Sequence, residues 1–383
     1  MPAVAPKRIC FVTGTRAEFG LMRSTLAAIT AHRHLELQLV VTGMHLSRRH
    51  GYTTDEVRRG GWQIDATVPW PQSRDAAALA RHTGATMGRL ATAFERLRSD
   101  VVLVVGDRVE AFAAASAGLV AQRAVAHVHG GDRAAGQIDD ALRHAITKLA
   151  HVHFPATPGS AERIGRLGED AWRIHHVGAP GIDGIARLAT PMASLRTAFP
   201  GLRSGQFALI ALHPTDASGA AEYDRALAVL SAVRSAGARQ VVVVYPNNDP
   251  GAGEIVRCWQ ARRGDISYLL PDVPRAHFVG LMRHCGVMVG NSSAGIIEAG
   301  ALGTPVVNVG DRQAGRERGR NVVDVPFEPT AIAQAAGRAM SSPRGGTPDK
   351  THPYGGGRAG VSIANVLHRL TIDDRLLRKL IAY

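Results

Sequence analysis

Short runs of β-branched and other apolar residues alternate along this chain with longer, alanine-rich stretches whose apolar positions recur every three or four residues. Runs at 9–13, 36–42, 101–105 and 124–129 predict strands, and the stretches at 20–32 and 111–120 predict helices between them. Strand–helix alternation of this kind builds a parallel sheet with helices on both faces. The run VVLVV at 101–105 is apolar at every position, as a strand covered on both sides requires.

The same rhythm restarts after Gly201. Strands are expected at 207–212, 240–245, 287–289 and 306–309, and helices at 220–236, 278–283 and 294–301. The fold class that follows is α/β: two Rossmann-like, doubly wound domains joined by a polar connection near 183–204. Residues 1–183 with 362–383 are expected to form the first domain, and 184–361 the second. The stretch 341–360, rich in glycine and interrupted by Pro343, Pro348 and Pro353, predicts a loop, followed by a last helix over 361–381. Such sheets bind ligands outside the carboxyl ends of their strands, so a central cleft between the two domains is the expected place for a substrate.

Composition narrows the picture. With 383 residues, 45% hydrophobic and 20% charged, the chain can bury two cores and lacks a disordered composition. No apolar run approaches the ~18 residues of a membrane span. The opening MPAVAPKRICFVTG reads as the approach to a first strand and not as a secretory signal. Cys10, Cys258 and Cys285 are widely spaced and odd in number, which argues for a reducing cytoplasm over disulfides or a structural zinc. The formal charge is +13, but arginine is spread along the chain with no aromatic-rich basic stripe. An anionic small molecule is the expected partner, with no membrane and no nucleic acid.

The polar residues cluster at strand ends. GTRAEFG at 14–20 follows the first strand, with Arg16 offering a fork suited to phosphate. GNSSAGIIE at 290–298 follows another, placing Ser292 and Ser293 at a helix start and Glu298 one turn on, suited to a ribose hydroxyl pair. Arg312, in the basic loop that also carries Arg316, Arg318 and Arg320, closes the next strand. Between these lie Asp107, the run HVHGGD at 127–132, and Asp139-Asp140 followed by Arg143-His144. Carboxylates and imidazoles gathered in this way suit general acid/base chemistry. His127/His129 and His151/His153 share strand faces by the period of two, an arrangement that competes as a metal site, but they form no single tight ligand set and no metal is expected. His213 ends the first strand of the second half, and Asn248 lies beyond its second.

VTGTRAEFG, VTGMHLS, GDRVE, HVHGGD, IDDALRHAITKLAHVHF, VGAPGID, HPTD, NSSAGIIEA, GTPVVNVGDRQAGR and HPYGGG occur in this order, and together they resemble the UDP-N-acetylglucosamine 2-epimerases over about residues 8–380. GDRQ-x-GR with RHAITK resembles the hydrolysing branch. The resemblance implies a glycosyltransferase-B fold, a UDP-sugar substrate held mainly by the C-terminal domain, and a homodimer or homotetramer. It implies catalysis by Asp107, Asp132, Asp139 and His213. Substrate contacts are expected from Arg16, His45, Arg143, Asn248, Phe278, Ser292, Ser293, Glu298 and Arg312. The chemistry implied is loss of the C2 proton as UDP leaves C1, giving 2-acetamidoglucal; water then adds in the hydrolysing branch, and UDP returns in the non-hydrolysing one. No net redox occurs, so no cofactor is expected. A transferase of the same fold is the alternative from another class, and the clustered acids count against it.

Overall fold

β1 (Lys7–Thr13) lies between β2 (Leu35–Val41) and β4 (Val101–Val105), parallel to both. These coordinates are a computed structural model that describes residues 5–47, 52–71, 75–133, 138–216, 219–246, 251–341 and 351–383. With β3 (Ala66–Thr67), β5 (Ala124–Val128) and β6 (Val152–Phe154), the first sheet has six parallel strands in the order β3-β2-β1-β4-β5-β6. The second comprises β7 (Phe207–Ala211), β8 (Gln240–Val244), β9 (Tyr268–Leu270), β10 (Val287–Gly290), β11 (Val306–Val309) and β12 (Val322–Val325), in the order β12-β11-β10-β7-β8-β9. Counted from its own first strand, each sheet runs 3-2-1-4-5-6, the Rossmann order. The order reverses between β1 and β4 in one sheet and between β7 and β10 in the other.

The chain divides into two units, Met1–Asp183 with Gly357–Tyr383, and Gly184–Gly356. Alternate strand residues feed opposite cores in each. Ile9, Phe11, Leu103 and Val105 pack on one face of the first sheet, and Cys10, Val12, Val102 and Val104 on the other. Ile210, Val243 and Val289 face one side of the second sheet, and Leu209, Val242 and Met288 the other. No helix among the described residues is long and apolar enough to cross a membrane.

Several boundaries differ from those the pattern predicts. The first helix starts at Arg16, ahead of 20, because Thr15 and Glu18 form a capping box. The stretch 294–301 is broken into a short helix, Ser293–Ile297, and a 3₁₀ turn, Ala299–Leu302. The single last helix expected over 361–381 is instead Ala359–Arg369, followed by a short turn of helix, Asp374–Leu377. Lys7 Nζ donates to the carbonyls of Leu367, His368 and Leu370, closing the first piece, and Asp373 caps the second through Leu376 N at 2.9 Å. Residues 342–350 of the expected loop lie outside the described residues.

The last residues also close a helix far away in sequence. Lys379 Nζ donates to the carbonyls of Thr147, Lys148 and Ala150 at 3.1, 2.7 and 2.7 Å, the carboxyl end of the helix Asp139–Leu149. It also pairs with the fully buried Glu169 at 2.7 Å, which Lys148 and His153 meet as well. Burial draws Lys379 down to about 8. Burial opposes the Glu169 charge, but hydrogen bonds from His153, Lys148 and Lys379 outweigh it and hold the carboxyl at about 2.

Candidate active site

In the first unit the chemistry gathers past the ends of β4 and β5. Gly106 takes a positive φ of 76° and delivers Asp107, which forms an ion pair with Arg143 from the helix Asp139–Leu149. Arg143 Nη1 donates to the carbonyl of His129 at 2.9 Å. His129 adopts a left-handed φ of 61°, and its Nδ1 lies 2.9 Å from Asp132 Oδ2. The other Asp132 oxygen accepts from Ser160 Oγ at 2.7 Å. Asp107, Asp132 and His129 are thus joined through Arg143 into one connected group, with Asp139 at the first turn of the helix that supplies Arg143. His127 is buried beneath it, 2.8 Å from the Gly106 carbonyl and 3.2 Å from Thr147 Oγ1; burial pushes its imidazole down to about 3, so it is neutral.

The neighbouring ends of β1 and β2 are built around Glu110. Its two carboxylate oxygens meet Arg108 Nε and Nη2, each at 3.2 Å. Its side chain presses on Gly14 and Gly43: a Cβ at either would come within 2.9 Å or 2.6 Å of it. Glu18 Oε2 accepts the amides of Gly14 and Thr15 at 2.9 Å each, and burial, reinforced by Glu110, pushes Glu18 up to about 7. Arg16 emerges from this ordered turn with its side chain 59% exposed and its guanidinium 3.7 Å from Glu56.

In the second unit the loops after β7, β10 and β11 meet at Asn291. This buried side chain bonds both backbone groups of His213, while its own carbonyl accepts from Gln313 at 2.9 Å and Arg312 at 3.2 Å. Ser292 and Ser293 follow at a half-exposed turn, where Ser292 Oγ caps Ala294 N at 3.4 Å. Glu298 pairs with Arg275 at 2.7 Å, and burial raises its carboxyl against that partner. Phe278 stands three residues on from Arg275 in the helix Arg275–His284, half-buried.

Two of the expected substrate contacts lie inside the fold. His45 is wholly buried, with Nε2 3.1 Å from Thr13 Oγ1 and Nδ1 2.7 Å from Thr53 Oγ1, so both ring nitrogens are spent inside the fold. Burial lowers it to about 4, and it braces the β1 and β2 loops as a neutral ring. Arg143 is also buried, and its guanidinium serves Asp107 and the His129 carbonyl. The shared strand face expected of His127 and His129 is absent too, because β5 ends at Val128 and His129 lies in the turn beyond it. Asn248 falls outside the described residues. Among the described residues no three His, Cys, Asp or Glu side chains are arranged to hold a metal. Arg275, Asn291 and Glu110 were not legible as site residues. The motif NSSAG put Asn291 in view as a cap, but only the pairing of β7 with β10 reveals its hold on His213.

Two parallel Rossmann-like domains, each with polar strand ends at its own point of strand reversal, define a protein of the glycosyltransferase-B fold. The solved structure of the Neisseria meningitidis UDP-GlcNAc 2-epimerase bound to UDP-GlcNAc shares that fold, with a TM-score of 0.77 at 20% identity, covering 94% of this chain and 99% of that one. The family model described as UDP-N-acetylglucosamine 2-epimerase matches residues 27–368, and the chain belongs to that family, as its motifs imply. It is 33% identical over 341 residues to a UDP-N-acetylglucosamine 2-epimerase of Neisseria meningitidis serogroup B, 88% of each chain. It is likewise 33% identical over 383 residues to a UDP-N,N'-diacetylbacillosamine 2-epimerase (hydrolyzing) of Legionella pneumophila, 98% of this chain and 100% of that one.

Proposed function

We propose that this protein is a hydrolysing 2-epimerase that converts UDP-GlcNAc and water to ManNAc and UDP. The C2 proton and UDP leave from opposite faces of the sugar, the C–H electrons become the C1–C2 double bond of 2-acetamidoglucal, and water then adds its hydroxyl to C1 and a proton to C2. The observation that carries hydrolysis is the end-to-end match to the Legionella protein, whose name states that outcome.

In this reading the first unit supplies proton chemistry and the second holds the nucleotide. Asp107 and the His129–Asp132 pair serve C2, with Asp139 at the head of the supporting helix. Arg16, Ser292, Ser293 and Arg312 take the diphosphate, Glu298 the ribose, Phe278 the uracil, and Asn248 a further nucleotide contact. His213, with its backbone fixed by Asn291, handles charge at the departing oxygen. A C2 hydrogen is a weak acid, so stabilising the leaving diphosphate and placing the base accurately both lower the barrier. The Legionella match also favours a second substrate, a UDP-2-acetamido sugar with further modification.

Incubation with UDP-GlcNAc in deuterated water, followed by proton NMR, tests the reading. Free ManNAc deuterated at C2, together with UDP, is expected. Deuterated UDP-ManNAc would assign the non-hydrolysing outcome. Turnover of UDP-N,N'-diacetylbacillosamine alone would assign the modified sugar, and reaction only with an added acceptor would assign a transferase.

A further inference from the structure

His129 stands at the meeting point of two hydrogen-bonded chains and still has a ring nitrogen to spare. From one side, Thr157 Oγ1 donates to Ser160 Oγ at 2.9 Å, Ser160 Oγ donates to Asp132 Oδ1 at 2.7 Å, and Asp132 Oδ2 lies 2.9 Å from His129 Nδ1. From the other, the His129 carbonyl accepts from Arg143, which holds Asp107. Thr157, Ser160, Asp132 and His129 are all buried, and Thr157 caps the helix Pro158–Arg166 that carries Ser160, so the row is anchored in regular structure. Nε2 of His129 is buried with no hydrogen-bond partner.

The other histidines beneath the strand ends of this unit behave differently. His45 spends both nitrogens on Thr13 and Thr53, and His127 spends both on Gly106 and Thr147. His153 also has an unpartnered Nδ1, but it lies within β6 and its Glu169 partner is shared with two lysines. His144 also has an unpartnered Nδ1, with Nε2 3.4 Å from Asp140, but it lies within the helix Asp139–Leu149. Among the described histidines of this unit only His129 combines an open nitrogen, a carboxylate behind the ring, a link to Asp107 and a left-handed backbone. Buried polar atoms without partners and strained non-glycine backbone both concentrate where function requires them. Asp132, by contrast, has both oxygens engaged, by His129 Nδ1 and Ser160 Oγ, which suits an orienting group and not one that takes a proton from a substrate.

We propose that His129 Nε2, and not the Asp132 carboxylate, takes the proton from C2 of the sugar, with Asp132 and Ser160 as positioning residues that hold the ring with Nδ1 protonated; this rests on reading the chain as a C2-acting epimerase. The Nε2 lone pair accepts the proton, the C–H pair forms the C1–C2 double bond, and the C1–O pair leaves on UDP. The imidazolium so formed faces the Asp132 carboxylate and returns its proton to solvent. Inversion is completed when a second group delivers a proton to the other face of C2 as water gives its hydroxyl to C1, and the proton of that water replaces the one delivered.

The test uses the full chain and UDP-GlcNAc. His129→Gln is expected to lower kcat by about 100-fold or more, with UDP affinity held within about three-fold. Asp132→Asn is expected to lower kcat by about 10-fold to 100-fold at nearly constant KM, because it releases the tautomer while leaving the ring in place. Nitrogen-15 NMR of the unliganded protein should show His129 with its proton on Nδ1, a signature that needs no turnover and is lost in Asp132→Asn. The proposal is overturned if Asp132→Asn abolishes C2 exchange while His129→Gln keeps a tenth or more of wild-type kcat. It is equally overturned if the His129 proton resides on Nε2. If the wild-type protein neither releases UDP nor exchanges the C2 proton of UDP-GlcNAc or UDP-N,N'-diacetylbacillosamine, the epimerase reading itself falls and takes this one with it; that outcome is distinct because it precedes any mutation.

Discussion

Asn291 Oδ1 accepts the amide of His213 at 2.7 Å, and Asn291 Nδ2 donates to the carbonyl of the same residue at 2.8 Å. One side chain beyond β10 thereby fixes the backbone of a residue beyond β7, across the reversal of the second sheet. Asn291→Ala strips both partners and opens space in a buried corner. It is expected to cost about 1–3 kcal/mol for each group left unsatisfied, and to lower kcat more than it weakens UDP binding. Thermal melting and steady-state kinetics measure this; a variant with an unchanged melt and unchanged kcat would show the pair to be idle.

Glu298 is half-buried against Arg275, and in the proposed function it meets the ribose. Glu298→Gln removes a charged acceptor, and a hydrogen bond to a charged group is worth about 1.5–3 kcal/mol, so UDP affinity should fall at least about ten-fold. Calorimetric titration with UDP reads the change directly. Affinity preserved within two-fold would exclude Glu298 from the nucleotide site.

Two glycines give opposite expectations for one and the same substitution. At Gly290, with φ of 140°, a Cβ would fall 2.1 Å from the Ala211 carbonyl oxygen, its partner across the sheet. Gly290→Ala must therefore push β10 from β7, and little soluble folded protein is expected. At Gly20, inside the helix Arg16–Thr30, a Cβ would meet nothing within 4 Å. Gly20→Ala is expected to stabilise by about 0.5–1 kcal/mol through helix propensity. Denaturant midpoints distinguish the two, and a well-folded Gly290→Ala protein would contradict the sheet contact.

Glu18 supplies a stability slope of defined sign. Burial, helped by Glu110, raises its folded value from 4.5 to about 7. Between those values the folded chain retains a proton that the unfolded chain has lost, so stability contributed by this group declines as pH rises from about 4.5 to about 7. Glu18→Gln can still accept the Gly14 and Thr15 amides but cannot titrate, so its stability should lose less across that window than the wild type's. Urea midpoints at pH 5 and pH 8 for both proteins test this, and equal changes would remove Glu18 as the source.

Much of the architecture was open to reading because parallel strands covered on both faces must be apolar at nearly every position, as Val101–Val105 is, and such runs stand out. The short outer strands Ala66–Thr67 and Tyr268–Leu270 carry too few residues for any periodicity, and the break after Arg369 depends on Lys7, which lies far away in sequence. The candidate site divides in the same way. Asp107, Ser292 and Glu298 sit in loops whose residue types declare a polar purpose. His45 and Arg143 carry the same chemical groups, yet packing turns them inward, and a linear pattern holds no record of which way a ring or guanidinium faces. Arg275 was hidden because its partner lies in another loop, joined to it only by folding.

The bond between Lys379 and Glu169 has a consequence for inheritance. Losing Lys379 would leave the buried Glu169 with only Lys148 and His153, and losing Glu169 would leave Lys379 beside Lys148 without the carboxylate between them, so a lineage that changes one is pressed to change the other. The two positions should therefore drift as a couple, and the helix that bears Arg143 drifts with them, because Lys379 also closes its carboxyl end. A change near residue 379 can in this way reach Asp107 without touching any residue of its loop.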